Sequence, residues 1–126
     1  MASSRQKIGA EAEARAALHL IAAGLTILHR NYRCRMGELD LVAREGPVLV
    51  VAEVRLRADD RFGGAAASIT PAKQRRIVLA TRYLLMRFPV LQKCPIRFDA
   101  LLVPPTRGST DEQDPITWIR GAFAAH

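Results

Sequence analysis

The segment Val48 to Arg57 constrains the fold of this chain most. Its even positions, Val48, Val50, Ala52, Val54 and Leu56, are uniformly apolar, while its odd positions run Leu49, Val51, Glu53, Arg55, Arg57. Successive strand residues face opposite sides of a sheet. A strand this apolar needs cover from other layers, which points to a sheet flanked by helices. The polar residues that interrupt it, Glu53 and Arg55 above all, then require a reason.

The surrounding pattern supplies the other elements. Residues 4 to 23 are rich in alanine and other helix formers and end at Gly24, a natural helix C-cap. On a helical wheel Ala10, Ala14, Ala17, Leu18, Leu20 and Ile21 fill one apolar arc, with Glu13 inside it and Arg15 and His19 pointing away. Leu25 to Tyr32 reads as a strand. Glu38 to Arg44 alternates, with Leu39, Leu41 and Ala43 on one face and Glu38, Asp40 and Val42 on the other. The turn Glu45-Gly46-Pro47 joins that strand to Val48–Arg57 as a hairpin. Residues 58 to 69 read as a loop, and Thr70-Pro71 has the chemistry of a helix start. That helix runs to about Arg87 on a buried stripe of Ile77, Ala80, Leu84 and Phe88. Strands over 96–103 and 116–120 follow, separated by a polar linker at 104–115 that carries Asp111, Glu112 and Asp114. The expected order is α-β-β-β-α-β-β, an α/β fold with a mixed central sheet, forming one domain over 1–126.

Composition narrows the function. The 126 residues hold 19 Lys and Arg against 12 Asp and Glu, a net charge of +7, and 49% are hydrophobic. Disorder and a disulfide scaffold are excluded as classes. No apolar run approaches the ~18 residues of a membrane span, and the charged amino-terminal stretch does not read as a signal peptide, so a cytoplasmic protein is expected. Cys34 and Cys94 stand 60 positions apart without zinc-ligand spacing and read as reduced thiols.

Between Lys73 and Arg97 there are seven basic residues and no acid, which points to a polyanionic partner; between Arg30 and Arg61 seven basic residues mix with six acids. Phosphate binding explains the arginines but not the carboxylates among them. A metal-dependent nuclease explains both. If the hairpin turns tightly, Asp40 falls opposite Glu53 or one diagonal step away, with both carboxylates on one face. Like charges that close are costly unless a cation lies between them. Mg²⁺ or Mn²⁺ fits that need, taking one or two carboxylates plus water and phosphate oxygens, with the Val54 carbonyl as a further candidate ligand. Lys73 lies on the buried stripe of its helix, so its ammonium is expected to point at the sheet. Glu13 reads equally as a metal or water contact and as a half-buried acid paired with arginine. A cross-strand ion network with Arg55 and Arg57 is the competing reading of Asp40 and Glu53. Both acids interrupt otherwise apolar faces, which favours the metal site.

The series Glu13-x-x-Ala16-x-x-x-Leu20-x-x-x-Gly24, Asn31-Tyr32-Arg33, Gly37-Glu38-Leu39-Asp40-Leu41-Val42, Val51-Ala52-Glu53-Val54-Arg55-x-Arg57, Gly63 to Ser68 with Lys73, Arg97-Phe98-Asp99 and Trp118-Ile119 resembles the YraN family of small bacterial proteins over nearly the whole chain. The resemblance implies a restriction-endonuclease-like core of three α/β/α layers, related to the Holliday-junction resolvases, with a PD-(D/E)xK-type active site. It makes Asp40 the first acid of that motif, Glu53 the second and Glu13 the helix acid, and it puts Arg55 in the lysine position. Arginine can grip a phosphate but cannot act as general base, which leaves Lys73 to supply the missing ammonium. The expected function is Mg²⁺-dependent endonucleolytic cleavage, DNA being favoured and branched forms included. Asp40 and Glu53 would be the metal ligands, and Arg57, Arg75, Arg76 and Arg82 the nucleic-acid contacts. The alternatives are a catalytically silent nucleic-acid-binding module and an assembly scaffold; a homodimer is left open.

Overall fold

A computed structural model describes residues 4–57, 69–105 and 115–125. The elements are α1 (Ser4–Ala22), β1 (Thr26–Cys34), β2 (Gly37–Glu45), β3 (Val48–Leu56), α2 (Pro71–Arg87), a short 3-10 turn (Pro89–Lys93), β4 (Ile96–Val103) and β5 (Thr117–Phe123). The strands form one five-stranded mixed sheet in the order β1-β2-β3-β4-β5. Only β3 and β4 run parallel. Parallel neighbours need a crossover between them, and α2 is that crossover.

The apolar character of β3 on both faces now has its cause. Leu49 and Val51 join Leu39, Val42, Phe98 and Ala100 beneath Ile77, Ala80 and Leu84 of α2. Val50 and Ala52 join Leu41, Ala43, Leu101 and Val103 beneath Ala12, Ala16, Ala17 and Leu20 of α1. Each fully buried leucine or valine stabilises the fold by about 1.5–3 kcal/mol relative to exposure, so the two clusters hold a helix against each face.

Local chemistry sets the joints. Gly24 leaves α1 at φ 97°, and the Leu25 amide donates back to the Leu20 carbonyl at 3.0 Å. Gly46 takes φ 57° in the two-residue turn between β2 and β3, a conformation that costs glycine little, and Pro47 suits the position after it. Thr70 caps α2, its hydroxyl accepting from the Lys73 amide at 3.2 Å. No helix among the described residues is long and apolar enough to cross a membrane.

Three expectations are corrected. The inward face of α1 is Ala12, Ala16, Ala17 and Leu20, while Ala10, Ala14, Leu18 and Ile21 are exposed. Arg15 points inward far enough to donate to the Pro104 carbonyl at 2.6 Å, and the His19 ring meets Trp118 edge-on. In a helix this rich in alanine, apolarity marks no face, and close approach of small residues to the sheet decided it. Second, Leu39 packs on the α2 side with Val42, whereas Leu41 and Ala43 pack on the α1 side; strict alternation is broken at Asp40. Third, β1 and β5 extend further toward the carboxyl terminus than the patterns suggested, to Cys34 and Phe123. Most of the 58–69 loop and of the 104–115 linker lies outside the described residues.

Candidate active site

The break in alternation at Asp40 shapes the site. The last β2–β3 pair is Leu41 with Ala52, while β2 stays paired with β1 through Leu39, Glu38 and Gly37. The start of β2 therefore parts from β3. At the fork the Val54 amide, which would otherwise lack a strand partner there, donates to Asp40 Oδ2 at 2.9 Å. This bond gives the Asp40 carboxylate a fixed orientation. A cleft of about 200 Å³ opens beside it, lined by Gly37, Glu38, Asp40, Glu53, Lys73 and Arg76 over Ile77.

Glu53 lies at the floor of the cleft and is 4% exposed. Its Oε1 stands 3.0 Å from Lys73 Nζ and 3.9 Å from an Arg55 terminal nitrogen. Its Oε2 is buried with no hydrogen-bond partner among the described residues, and Arg55 Nε shares that condition. Burial, reinforced by the charge of Asp40, pushes the Glu53 carboxyl up to about 7 in spite of Lys73 and Arg55. Leaving a buried carboxylate oxygen unpaired is among the costlier arrangements a fold can keep. Such perturbed acids concentrate at functional sites.

The structure thus brings Asp40, Glu53 and Lys73 around one cleft, with Arg55 against Glu53 and Arg76 on the rim. Glu13 does not line the cleft. It is raised by partial burial and by the nearby charge of Asp40, and a side-chain hydrogen bond from Asn31 opposes that shift. Asn31 was not anticipated as part of the site. It lies in β1 between the pairs Arg30–Leu41 and Tyr32–Leu39, across from Asp40, at φ 53°. Asparagine adopts that left-handed conformation more readily than most residues; in the sequence its signals were that tolerance and its place in the Asn31-Tyr32-Arg33 segment of the resemblance.

The basic run divides. Arg75 and Arg82 border a separate groove on another flank of α2, away from Arg76. The main-chain amide of Arg57 donates to Val103 at 2.8 Å. Arg97 is committed elsewhere: it forks onto fully buried Asp99 at 2.8 and 2.9 Å and reaches Glu45 at 2.9 Å. Asp99 also accepts from Trp118 Nε1 and the Gly121 amide, both at 2.9 Å. Burial alone would raise its carboxyl, but Arg97, Gly121 and Trp118 together hold it below the usual range. This network fastens β5 to β4 and is structural.

Among the described residues no group of three or more His, Cys, Asp and Glu side chains is placed to hold a metal ion. Two carboxylates at the fork would leave a cation bound there to keep much of its water. Mg²⁺ does so, whereas a structural zinc requires four protein ligands. The unpartnered Oε2 of Glu53 is an oxygen donor of the right kind.

The fold and site define a small mixed-sheet α/β protein with a carboxylate and ammonium cluster where its two central antiparallel strands part. The chain belongs to the family described as "Uncharacterised protein family UPF0102", whose model matches residues 12–103; this is the family named YraN above. The matched span includes Glu13, Asp40, Glu53, Arg55 and Lys73 and stops before β5. Its relatives include a UPF0102 protein of Nitrosomonas europaea, 47% identical over 121 residues, which span 96% of this chain and 97% of the relative. One from Methylobacillus flagellatus is 44% identical over 95% of this chain and 99% of its own length. Another, from Cupriavidus taiwanensis, is 49% identical over 97% and 86% respectively.

Proposed function

We propose that this protein is a Mg²⁺- or Mn²⁺-dependent endonuclease on a restriction-endonuclease-like fold, hydrolysing phosphodiester bonds in DNA, branched forms included. The observation that carries this reading is the cluster of Asp40, Glu53 and Lys73 around one cleft, with a buried Glu53 oxygen that has no hydrogen-bond partner among the described residues. Asp40 and Glu53 would hold the divalent ion, which when bound polarises the phosphodiester and lowers the pKa of an attacking water. Asp40 is kept in one orientation by the Val54 amide. Glu53, held above the usual carboxylate range by burial, would have to be ionised to hold the ion. The Lys73 side chain, about a third exposed and paired with Glu53, would also neutralise charge on a phosphate oxygen that enters the cleft. The Arg55 guanidinium would stabilise charge on the phosphoryl oxygens, since arginine does not serve as a base. Arg76 on the rim and Arg57 would contact flanking phosphates, and Glu13, hydrogen-bonded by Asn31 and near the charge of Asp40, would add a water or metal contact.

One observation favours the catalytically silent module instead: Lys73 Nζ already stands 3.0 Å from Glu53 and supplies a cation to it without any metal. Cleavage of a labelled four-way junction by the wild type, Glu53→Ala and Arg55→Lys, with and without divalent ion, separates the two. The endonuclease reading expects metal-dependent cleavage that vanishes in Glu53→Ala and is level or raised in Arg55→Lys. No cleavage by any of the three, with tighter DNA binding by Glu53→Ala, selects the silent module. Cleavage that survives Glu53→Ala comes from a contaminant and removes the catalytic claim.

A further inference from the structure

Away from the cleft, α2 packs chiefly on β2 and reaches β1, and an opening remains between its other flank and the end of β5. Two adjoining cavities of about 330 and 380 Å³ run there between the flank of α2 and the end of β5, sharing Val78, Arg82 and Ala124. Their walls are apolar, from Val78, Leu79, Leu85, Ile96 and Phe123, and among the described residues no Asp or Glu lines either one. Arg75 and Arg82 are exposed on the rim.

We propose that this groove docks an acidic peptide segment of a partner protein, its bulky apolar side chains entering the cavities and its carboxylates meeting Arg75 and Arg82. Charge complementarity selects the acidic partner: the rim is cationic and no acid among the described residues lines the groove. The walls select a peptide over a nucleic acid. The polar side chains among them are already used within the chain, since Gln74 Nε2 donates to the Ile69 carbonyl at 2.9 Å and the Thr81 hydroxyl to the Ile77 carbonyl at 2.8 Å. Arg97, at the far end, is taken by Asp99 and Glu45. Beyond Arg75 and Arg82 on the rim, base edges would find no uncommitted donor or acceptor side chain among the described lining residues, whereas aliphatic or aromatic anchors find apolar walls. The inference is independent of the hydrolytic reading and stands if the cleft is silent.

The test is fluorescence anisotropy of the full-length protein with a fluorescein-labelled peptide, Asp-Glu-Phe-Asp-Glu-Leu-Asp, and a control in which Phe and Leu are replaced by Ser. Circular dichroism checks that the variants fold. Saturable binding is expected, weakened about tenfold or more by Arg75→Glu with Arg82→Glu, and about fivefold by Leu79→Ser, whose side chain is only half-buried. The serine control should bind no better than those variants. Absence of binding, equal binding of the control, or affinity indifferent to both substitutions overturns the proposal. So does an oligo-dT strand that displaces the peptide and binds more tightly through Arg75 and Arg82, which makes the groove a nucleic-acid face. Concentration-dependent dimerisation in sedimentation velocity that Leu79→Ser abolishes makes the occupant a second copy and overturns it too.

Discussion

Replacing Glu53 by glutamine is expected to stabilise the protein, and to do so more as pH rises. Glu53 ionises near 7 in the folded chain against an ordinary value of 4.5. The folded state therefore binds the proton more tightly than the unfolded state, so stability falls as pH rises from 4.5 to about 7. Below that window the group makes no difference; above it the cost is fully present. At about 1.4 kcal/mol for each pH unit of displacement, ionised Glu53 works against the fold by about 3 kcal/mol. Glutamine keeps the shape and cannot ionise. Its advantage over the wild type is about 1 kcal/mol at pH 5 and about 3 kcal/mol at pH 8. Urea unfolding of both proteins at the two pH values, with a chelator present, measures it. Saturating Mg²⁺ at pH 8 should recover wild-type stability and leave the variant unmoved, because a ligand of the native state stabilises by mass action. An equal difference between the two proteins at pH 5 and pH 8 would refute the claim that burial opposes ionisation of Glu53.

Lys73→Met removes the nearest cation from Glu53, 3.0 Å away, so the Glu53 titration, followed by carboxyl-carbon NMR, moves higher than in the wild type; an unmoved or lowered midpoint contradicts the ion pair. Asp99→Asn breaks the fork to Arg97 in a fully buried position and is expected to lower stability by about 2–4 kcal/mol. A loss below about 0.5 kcal/mol in thermal unfolding would mean that β5 is held by other means. In DNA binding, Arg76→Ala should reduce the log-log salt slope by up to about 1, while Arg75→Ala with Arg82→Ala leaves it unchanged; the reverse pattern would put the nucleic acid on the other flank of α2.

What could be read without the structure was set by short-range chemistry. Apolarity on both faces of Val48–Leu56, the Gly46-Pro47 turn, the Thr70-Pro71 start of α2 and the Gly24 end of α1 depend on residues within a few positions of one another, and each appears where the pattern put it. The inward aim of Lys73 was legible too, because a helical stripe carries every residue on it toward the same surface. Packing between distant segments decided the rest. Which side of α1 faces inward depended on how closely Ala12, Ala16 and Ala17 approach the sheet, since the whole helix is rich in alanine. The phase of β2 at Asp40 depended on β2 leaving β3 while holding β1, so the Val54 amide took a side chain in place of a strand. Arg97, at the end of an acid-free run, has Asp99 two residues on along the same strand, but it met Glu45 only once β4 lay beside β3. Charge order along a chain fixes the number of cations available. Only the tertiary fold decides which of them are spent on the protein's own carboxylates, because ion pairs form between groups that packing, not sequence distance, brings within about 4 Å.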